Sequence, residues 1–335
     1  MTTVVTGASG HIGANLVRAL LQRGEAVRAV VHRDTSALEG LDVELVHGDV
    51  CDPAALNRCF AGAAVVYHLA GHISISKNSG RRVDEVNVTG TRNVVSACID
   101  RGVGRLVHFS SIHAVVDPGK GVPVDELASL ADKPGHPPYD RSKALGERHV
   151  LEAATQGLNA VVVAPTAVVG PYDYRPSHFG RVLLAMARGR LPVIMSGGFD
   201  WVDVRDVVAG AMAAADGAAP GSKYLLSGQW RSLTDVARMV DRVTGVTGPR
   251  AVVPLVLAQA FSPAAEAVCV LLGVPPLYTP YSVKALRGHG LVSHRRATAE
   301  LGYAPRPLEE TLADTCGWFE DNGFLPRGTC GEGAA

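Results

Sequence analysis

The sequence predicts an α/β protein: a doubly wound parallel sheet with a smaller C-terminal lobe. Two observations carry this. Through the first half, short β-branched runs alternate with segments of helical period, the pattern of a sheet covered by helices on both faces. The first of these runs also leads straight into a glycine-rich turn and then an amphipathic stretch, as in a nucleotide-binding strand–turn–helix unit.

Strands are expected at residues 3–6, 26–31, 43–47, 65–68, 106–109 and 160–164. Between the first two, Ile12, Leu16 and Leu20 recur every fourth residue, which puts them on one helix face toward the sheet. Gly24 is placed to end that helix. Residues 117–138 hold five prolines and three glycines and read as a loop, ending where YDRSK opens a helix running to about Gln156. Residues 170–177 form a second irregular stretch. Both loops follow the carboxyl ends of strands, where open α/β sheets bind ligands.

The turn TGASGHIG places Gly7, Gly10 and Gly13 where side chains are least tolerable. Gly7 makes the bend, Gly10 lets a pyrophosphate approach the backbone, and Gly13 allows close helix–strand packing. The helix start adds free N–H groups and a positive dipole end. Gly7, Ser9, Gly10, His11, Ile12 and Gly13 are therefore the expected phosphate-side contacts of a Rossmann domain. In an NAD-selective site an acid ends the second strand and holds the ribose hydroxyls. Here the run is Val30-Val31-His32-Arg33-Asp34, and His32 with Arg33 offers positive charge to a 2′-phosphate. NADP(H) is thus favoured over NAD(H), with Asp34 as the alternative, ribose-binding reading. Asp49 and Val50 follow the third strand beside the expected adenine, where a plain turn over 48–52 is the competing explanation.

Tyr139 and Lys143 are four residues apart at a helix start, so both can reach one ligand. A protonated lysine there is expected to lower the tyrosine pKa toward neutrality, as proton transfer requires. Ser110-Ser111 end the fifth strand, and a serine at that point can hold a substrate oxygen against the tyrosine. Strand alternation points only one of the two toward the cofactor; Ser111 is the choice and Ser110 the alternative.

Together with GDVCD at 48–52, HLAG at 68–71, NVTGTRNVV at 87–95, FSSIHAV at 109–115, PTAVVGP at 165–171 and WVDVRDVV at 201–208, these motifs resemble the extended short-chain dehydrogenase/reductase family over roughly residues 3–320. The resemblance implies that Tyr139 is the proton donor or acceptor, that Lys143 also grips the nicotinamide ribose, and that Ser111 polarises a carbonyl. It implies further that Pro165, Thr166 and Val168 meet the nicotinamide amide through the backbone, that Leu69, Ala70 and Gly71 line the cofactor's course, and that Asn87 is a structural tie. The chain has Ile112 where many members carry another serine or threonine. His113 reads as a polar neighbour of the site, and no histidine pair has metal-ligand spacing, so no metal is expected.

Residues 1–170 are expected to form the dinucleotide-binding core and 171–325 mainly a substrate lobe with segments returning to the core. Residues 326–335 read as a disordered tail. Lys plus Arg and Asp plus Glu balance at 32 each, which excludes a global field for nucleic acid or anionic membrane. A small molecule is the expected partner, with a homodimer as the candidate assembly. The six cysteines show no paired spacing, and the chain enters a strand at once, as in a cytoplasmic protein without a leader. Only 251–274 is apolar enough to suggest a membrane segment, and Pro263 and Glu266 interrupt it.

The expected activity is interconversion of a carbonyl and a hydroxyl on a largely apolar small molecule. Residues 251–272 and Pro275–Tyr281 are expected to wall the substrate site or, equally, to fill the lobe's own core. The alternative is a sugar-nucleotide epimerase or dehydratase with tightly bound NAD. Relatives of that kind usually carry an arginine just before the WVDVRD-like strand; here 197–201 has none, and Asp200 is expected to repel phosphate. A non-catalytic NADP(H)-sensing regulator is a remote third reading, since both Tyr139 and Lys143 are present.

Overall fold

The computed structural model describes residues 2–73, 80–119, 121–249, 251–262, 280–286, 288 and 290–330. The first strand, β1 (Thr2–Thr6), runs into the glycine turn and helix α1 (His11–Gln22). Next come β2 (Ala26–Val31), β3 (Glu44–His47), α2 (Pro53–Cys59) and β4 (Ala63–His68). Helices α3 (Gly80–Asp84) and α4 (Thr91–Asp100) are joined by a wide turn over Glu85–Gly90 and lead to β5 (Arg105–Phe109). After the long loop come α5 (Pro138–Thr155), β6 (Ala160–Pro165), β7 (Ala167–Val169), α6 (His178–Ala187), β8 (Val193–Met195) and β9 (Gly198–Asp203). Then follow α7 (Val204–Gly217), β10 (Lys223–Leu226), β11 (Gln229–Ser232), α8 (Leu233–Thr244) and β12 (Ala251–Val253).

Seven strands form one sheet in the order β10-β6-β5-β4-β1-β2-β3, every neighbouring pair parallel. Strand order reverses between β1 and β4, so their carboxyl ends open the crevice where such sheets bind ligands. The sheet is buried on both faces. Val5, Leu16, Leu20, Val107 and Val163 pack with α7 on one side, and Val4, Leu56, Val94, Leu106 and Val150 under α2, α4 and α5 on the other. Alternate residues of one strand thus feed opposite cores. β11, β9 and β7 make a smaller mixed sheet, and β8 pairs with β12.

Gly24 sits just past α1 with φ +78°, the left-handed conformation of a helix stop. Residues 170–177 stay irregular but are held to α1: Arg18 stacks over the Tyr172 ring at 4.5 Å and donates to the Tyr174 hydroxyl at 2.8 Å. Residues 326–330 fold back toward Glu320, which accepts the Cys330 backbone N–H at 2.9 Å. Cys330 packs on the same core as Cys316. Of the apolar stretch 251–272, Leu255 and Ala258 turn inward, whereas Val256, Leu257 and Phe261 are exposed; 263–279 lies outside the described residues. Among the described residues, no helix is long and apolar enough to cross a membrane.

Candidate active site

At the end of β1, Gly7 has φ +70°, and a Cβ there would lie 2.7 Å from the Ala70 nitrogen. A Cβ on Gly13 would lie 2.2 Å from the Gly7 carbonyl oxygen. Only hydrogen fits at either point. The Gly10 N–H closes the turn onto Gly7 at 3.0 Å. Gly10 caps α1 without a side chain, and no acid stands in the first turn, so no carboxylate of that turn offsets the positive dipole end. The Leu69 and Ala70 N–H groups bond to Thr6, at 3.2 Å to its carbonyl and 3.3 Å to its hydroxyl, which brings Leu69–Gly71 against the turn. This cradle suits the pyrophosphate of a dinucleotide. His11 spends its imidazole elsewhere, donating from Nε2 to the Gly170 and Pro171 carbonyls at 3.0 and 3.1 Å. Beside it, Asn15 donates to Pro171 at 3.0 Å.

Beyond β2, Asp34 is occupied. Ser36 donates to its Oδ1 from both backbone and hydroxyl, Arg175 lies 3.3 Å from Oδ2, and these bonds hold its pKa below the usual carboxylate value. His32 faces Asp49 at 3.5 Å. Asp49 accepts the Cys51 N–H at 2.9 Å, which lowers its pKa, and Val50 is buried beside it. Arg33 is exposed, and its guanidinium has no acceptor among the described residues.

Tyr139 and Lys143 lie on the first turns of α5, facing the end of β5. Lys143 Nζ donates to the Phe109 carbonyl at 2.6 Å. Ser111 lies beside the Tyr139 side chain, close enough to favour its ionised form, and Ser111 Oγ accepts the His113 N–H at 3.2 Å. Ser110 turns the other way, donating to the buried Glu147 at 2.5 Å. The structure therefore brings Ser111, Tyr139 and Lys143 together and leaves Ser110 behind them.

Burial pushes Lys143 down to about 8 against the opposing charge of Glu147. The expectation of a tyrosine brought toward neutrality is not met: burial dominates and pushes Tyr139 up to about 12, with the neighbouring Ser111 opposing it. At neutral pH Tyr139 is a protonated phenol ready to donate. Pro165, Thr166 and Val168 stand at the carboxyl edge of β6 and in β7.

Asp200 departs from expectation. Instead of confronting a ligand, it is buried, where its Oδ1 accepts from the Thr166 hydroxyl and the Gly228 N–H, both at 2.8 Å. Burial raises its carboxyl to about 6. Among the described residues no group of three or more His, Cys, Asp or Glu could hold a metal ion.

A family model described as the NAD dependent epimerase/dehydratase family matches residues 3–226. The chain belongs to the NAD-dependent epimerase/dehydratase family. It is 36% identical to sterol demethylase protein B of Methylococcus capsulatus, over 97% of this chain and all of the relative. It is 29% identical to a 4-hydroxy-2-methyl-3-oxo-4-farnesyl-3,4-dihydroquinoline-1-oxide ketoreductase of Stigmatella aurantiaca, over 94% and 95% of the two chains. The crystal structure of gox2253 superposes with a TM-score of 0.84 at 31% identity, covering 97% of this chain and 99% of the other. Family and fold thus make this epimerase/dehydratase-family member an NAD(P)-dependent oxidoreductase of the extended short-chain dehydrogenase/reductase superfamily.

Several residues of the site escape local sequence patterns. Asn87 donates to the His72 carbonyl and the Ser142 hydroxyl and accepts the His72 N–H, tying the β4 loop to α5. His68 is buried between the Thr6 and Thr91 hydroxyls, at 2.9 and 3.1 Å. Asp140, next to Tyr139, accepts the Tyr281 hydroxyl at 2.5 Å and lies 3.3 Å from His113 Nδ1. The His113 ring stands 5.8 Å from the Tyr139 ring. The signal for Asn87 and His68 lay in the family motifs; the meeting of Asp140 with Tyr281 had none, because 140 residues separate them.

Proposed function

We propose that the chain is an NADP(H)-dependent reductase or dehydrogenase that interconverts a carbonyl and a hydroxyl on a largely apolar small molecule. The observation that carries this is the convergence of the Tyr139 phenol, the Ser111 hydroxyl and the Lys143 ammonium at the end of β5, on the same sheet edge as the glycine cradle. Reduced nicotinamide, held at the glycine cradle and by Lys143, would supply hydride for the carbonyl carbon when bound. Tyr139 donates its proton to the carbonyl oxygen, Ser111 holds that oxygen by a hydrogen bond, and Lys143 stabilises the phenolate left on Tyr139. In the oxidative direction the same proton returns to Tyr139. Residues 1–170 carry the cofactor in this reading and 171–325 most of the substrate surface.

The 2′-phosphate preference is supported by Arg33, exposed beside an Asp34 already bonded to Ser36 and Arg175. The apolar substrate is supported by two relatives whose names refer to a sterol and to a farnesylated quinoline oxide, each with a large apolar part. The run 197–201 also carries no arginine to pair with the diphosphate of a sugar nucleotide. The test is a panel of steroid, flavonoid and aryl ketones against UDP- and dTDP-sugars, following NADPH oxidation and, separately, epimer formation. NADPH oxidation with the ketones is expected. Turnover confined to sugar nucleotides would replace this reading with the epimerase one.

A further inference from the structure

Tyr139, Lys143 and Glu147 follow one another at four-residue spacing along α5, so they share one face of the helix. The first two form the proposed catalytic pair; Glu147 lies one turn deeper and is fully buried. Its Oε2 accepts the Ser110 hydroxyl at 2.5 Å, and its Oε1 lies 2.5 Å from Lys223 Nζ. Lys223 is buried as well, on β10 at the edge of the main sheet. A buried ion pair is costly to build, and apolar residues of similar volume often serve stability as well or better. Its position one turn below Lys143 directs attention to a role beyond holding the helix to the sheet.

The neighbours indicate that role. Ser110 lies between Phe109, whose carbonyl accepts the Lys143 ammonium, and Ser111, whose side chain meets Tyr139. Fixing Ser110 inward turns Ser111 outward by strand alternation. One carboxylate therefore anchors the end of β5 that presents both the serine and the lysine's acceptor.

The charges around Lys143 point the same way. His68 on β4 and His108 on β5 face it, and burial keeps both uncharged. Tyr139 stands a turn earlier on α5, while Lys223 reaches in from β10 behind Glu147. Glu147 is the anion of this set, and its charge favours the ammonium form of Lys143.

We propose that Glu147 is a positioning residue for the proton-transfer site: it keeps the Lys143 ammonium charged in a dry environment and fixes the Ser110–Ser111 corner, with Lys223 as its counter-ion. This rests on the reading above, in which Lys143 and Ser111 serve the reaction.

Glu147→Gln keeps the shape and can still accept from Ser110, but it removes the charge. Glu147→Gln/Lys223→Met removes both charges, so no unpaired ammonium is left in the core. Ser110→Ala keeps the charge and deletes the anchor. For each, NADPH and NADH affinity is titrated by nucleotide fluorescence from about pH 6 to about pH 9, and kcat and KM are followed with a ketone that wild type reduces.

Both Glu147 variants are expected to move the alkaline loss of nucleotide affinity and of kcat down by about one pH unit. That corresponds to about a fivefold deficit near pH 8, approaching tenfold near pH 9, and near-recovery at about pH 6. Ser110→Ala is expected to lower kcat with no shift along the pH axis. A deficit that is equal at every pH in both Glu147 variants, tracking a lower melting temperature, would reduce Glu147 to a structural tie and overturn the proposal. A wild type that binds NADPH yet reduces no carbonyl compound overturns the functional reading alone, and the nucleotide-affinity profiles then decide the role of Glu147.

Discussion

The glycine turn and the catalytic helix are specified by different kinds of residue. At the turn the decisive feature is what is missing: a Cβ on Gly7 or Gly13 would run into backbone atoms of Ala70 or Gly7, so ligand contact falls to the main chain and the dipole of α1. At the head of α5 the decisive feature is a set of side chains, Ser111, Tyr139, Lys143, Asp140 and Tyr281, gathered from separate elements. The first region recognises what dinucleotides share. In the proposed function the second discriminates among carbonyl compounds, and its energetics depend on burial and charge. Substitutions at Tyr139 or Tyr281 should therefore divide turnover from cofactor binding, which substitutions near the first region or at Lys143 should not.

The largest expected separation comes from Tyr139→Phe. It keeps the ring against His113 and deletes the transferable proton, so turnover should fall by about 100-fold or more while NADPH affinity holds. Single-turnover kinetics with a fluorescence titration measure both. Normal turnover in this variant would mean that another group moves the proton.

Legibility follows the same division. The glycine turn and the parallel strands could be read because they depend on local spacing: backbone geometry rejects side chains at fixed positions, and alternation fixes strand faces. Tyr139 and Lys143 could be read because one helix carries both. Two other features could not. Asp200 looks like an exposed acid before a strand, yet its neighbours Thr166 and Gly228 come from the β6 and β10 ends and enclose it. The pKa of Tyr139 escapes the sequence for a related reason: a four-residue spacing shows that Lys143 is near but not how much solvent the fold removes from the phenol, and desolvation dominates. Glu147 had a readable position, four residues past Lys143, but its meaning depends on Lys223 arriving from β10.

The second effect in size tests the adenosine end. Arg33→Ala should weaken NADPH by about 1.5–3 kcal/mol, the range for a hydrogen bond to a charged group, and leave NADH nearly unchanged. Asp34 keeps its bonds to Ser36 and Arg175 in that variant, so no new ribose ligand is released to compensate. Calorimetric titration with both nucleotides measures the difference. Equal losses for the two would show that Arg33 does not read the 2′-phosphate, and would shift cofactor preference toward NAD(H).

The smallest expected effect probes the substrate side of the catalytic helix. Tyr281, on the short helix Pro280–Ala285, donates to Asp140, and Asp140 also faces His113, whose ring stands against Tyr139. Burial and the Asp140 charge both push the Tyr281 phenol above its ordinary pKa, so at neutral pH it is a donor and neutralises part of the carboxylate beside the proton-transfer group. Tyr281→Phe deletes one hydrogen bond to a charged acceptor that is only partly exposed, worth about 1 kcal/mol or somewhat more. The expected result is a KM for the carbonyl substrate raised by about 3- to 10-fold, with kcat and NADPH affinity changed far less, because the bond orients the substrate wall and takes no part in proton transfer. Asp140→Asn removes the charge and should cost about as much alone as together with Tyr281→Phe, since the two residues act as one unit. Fully additive losses in that cycle would separate Tyr281 from Asp140 and leave the catalytic helix without this link to the substrate lobe.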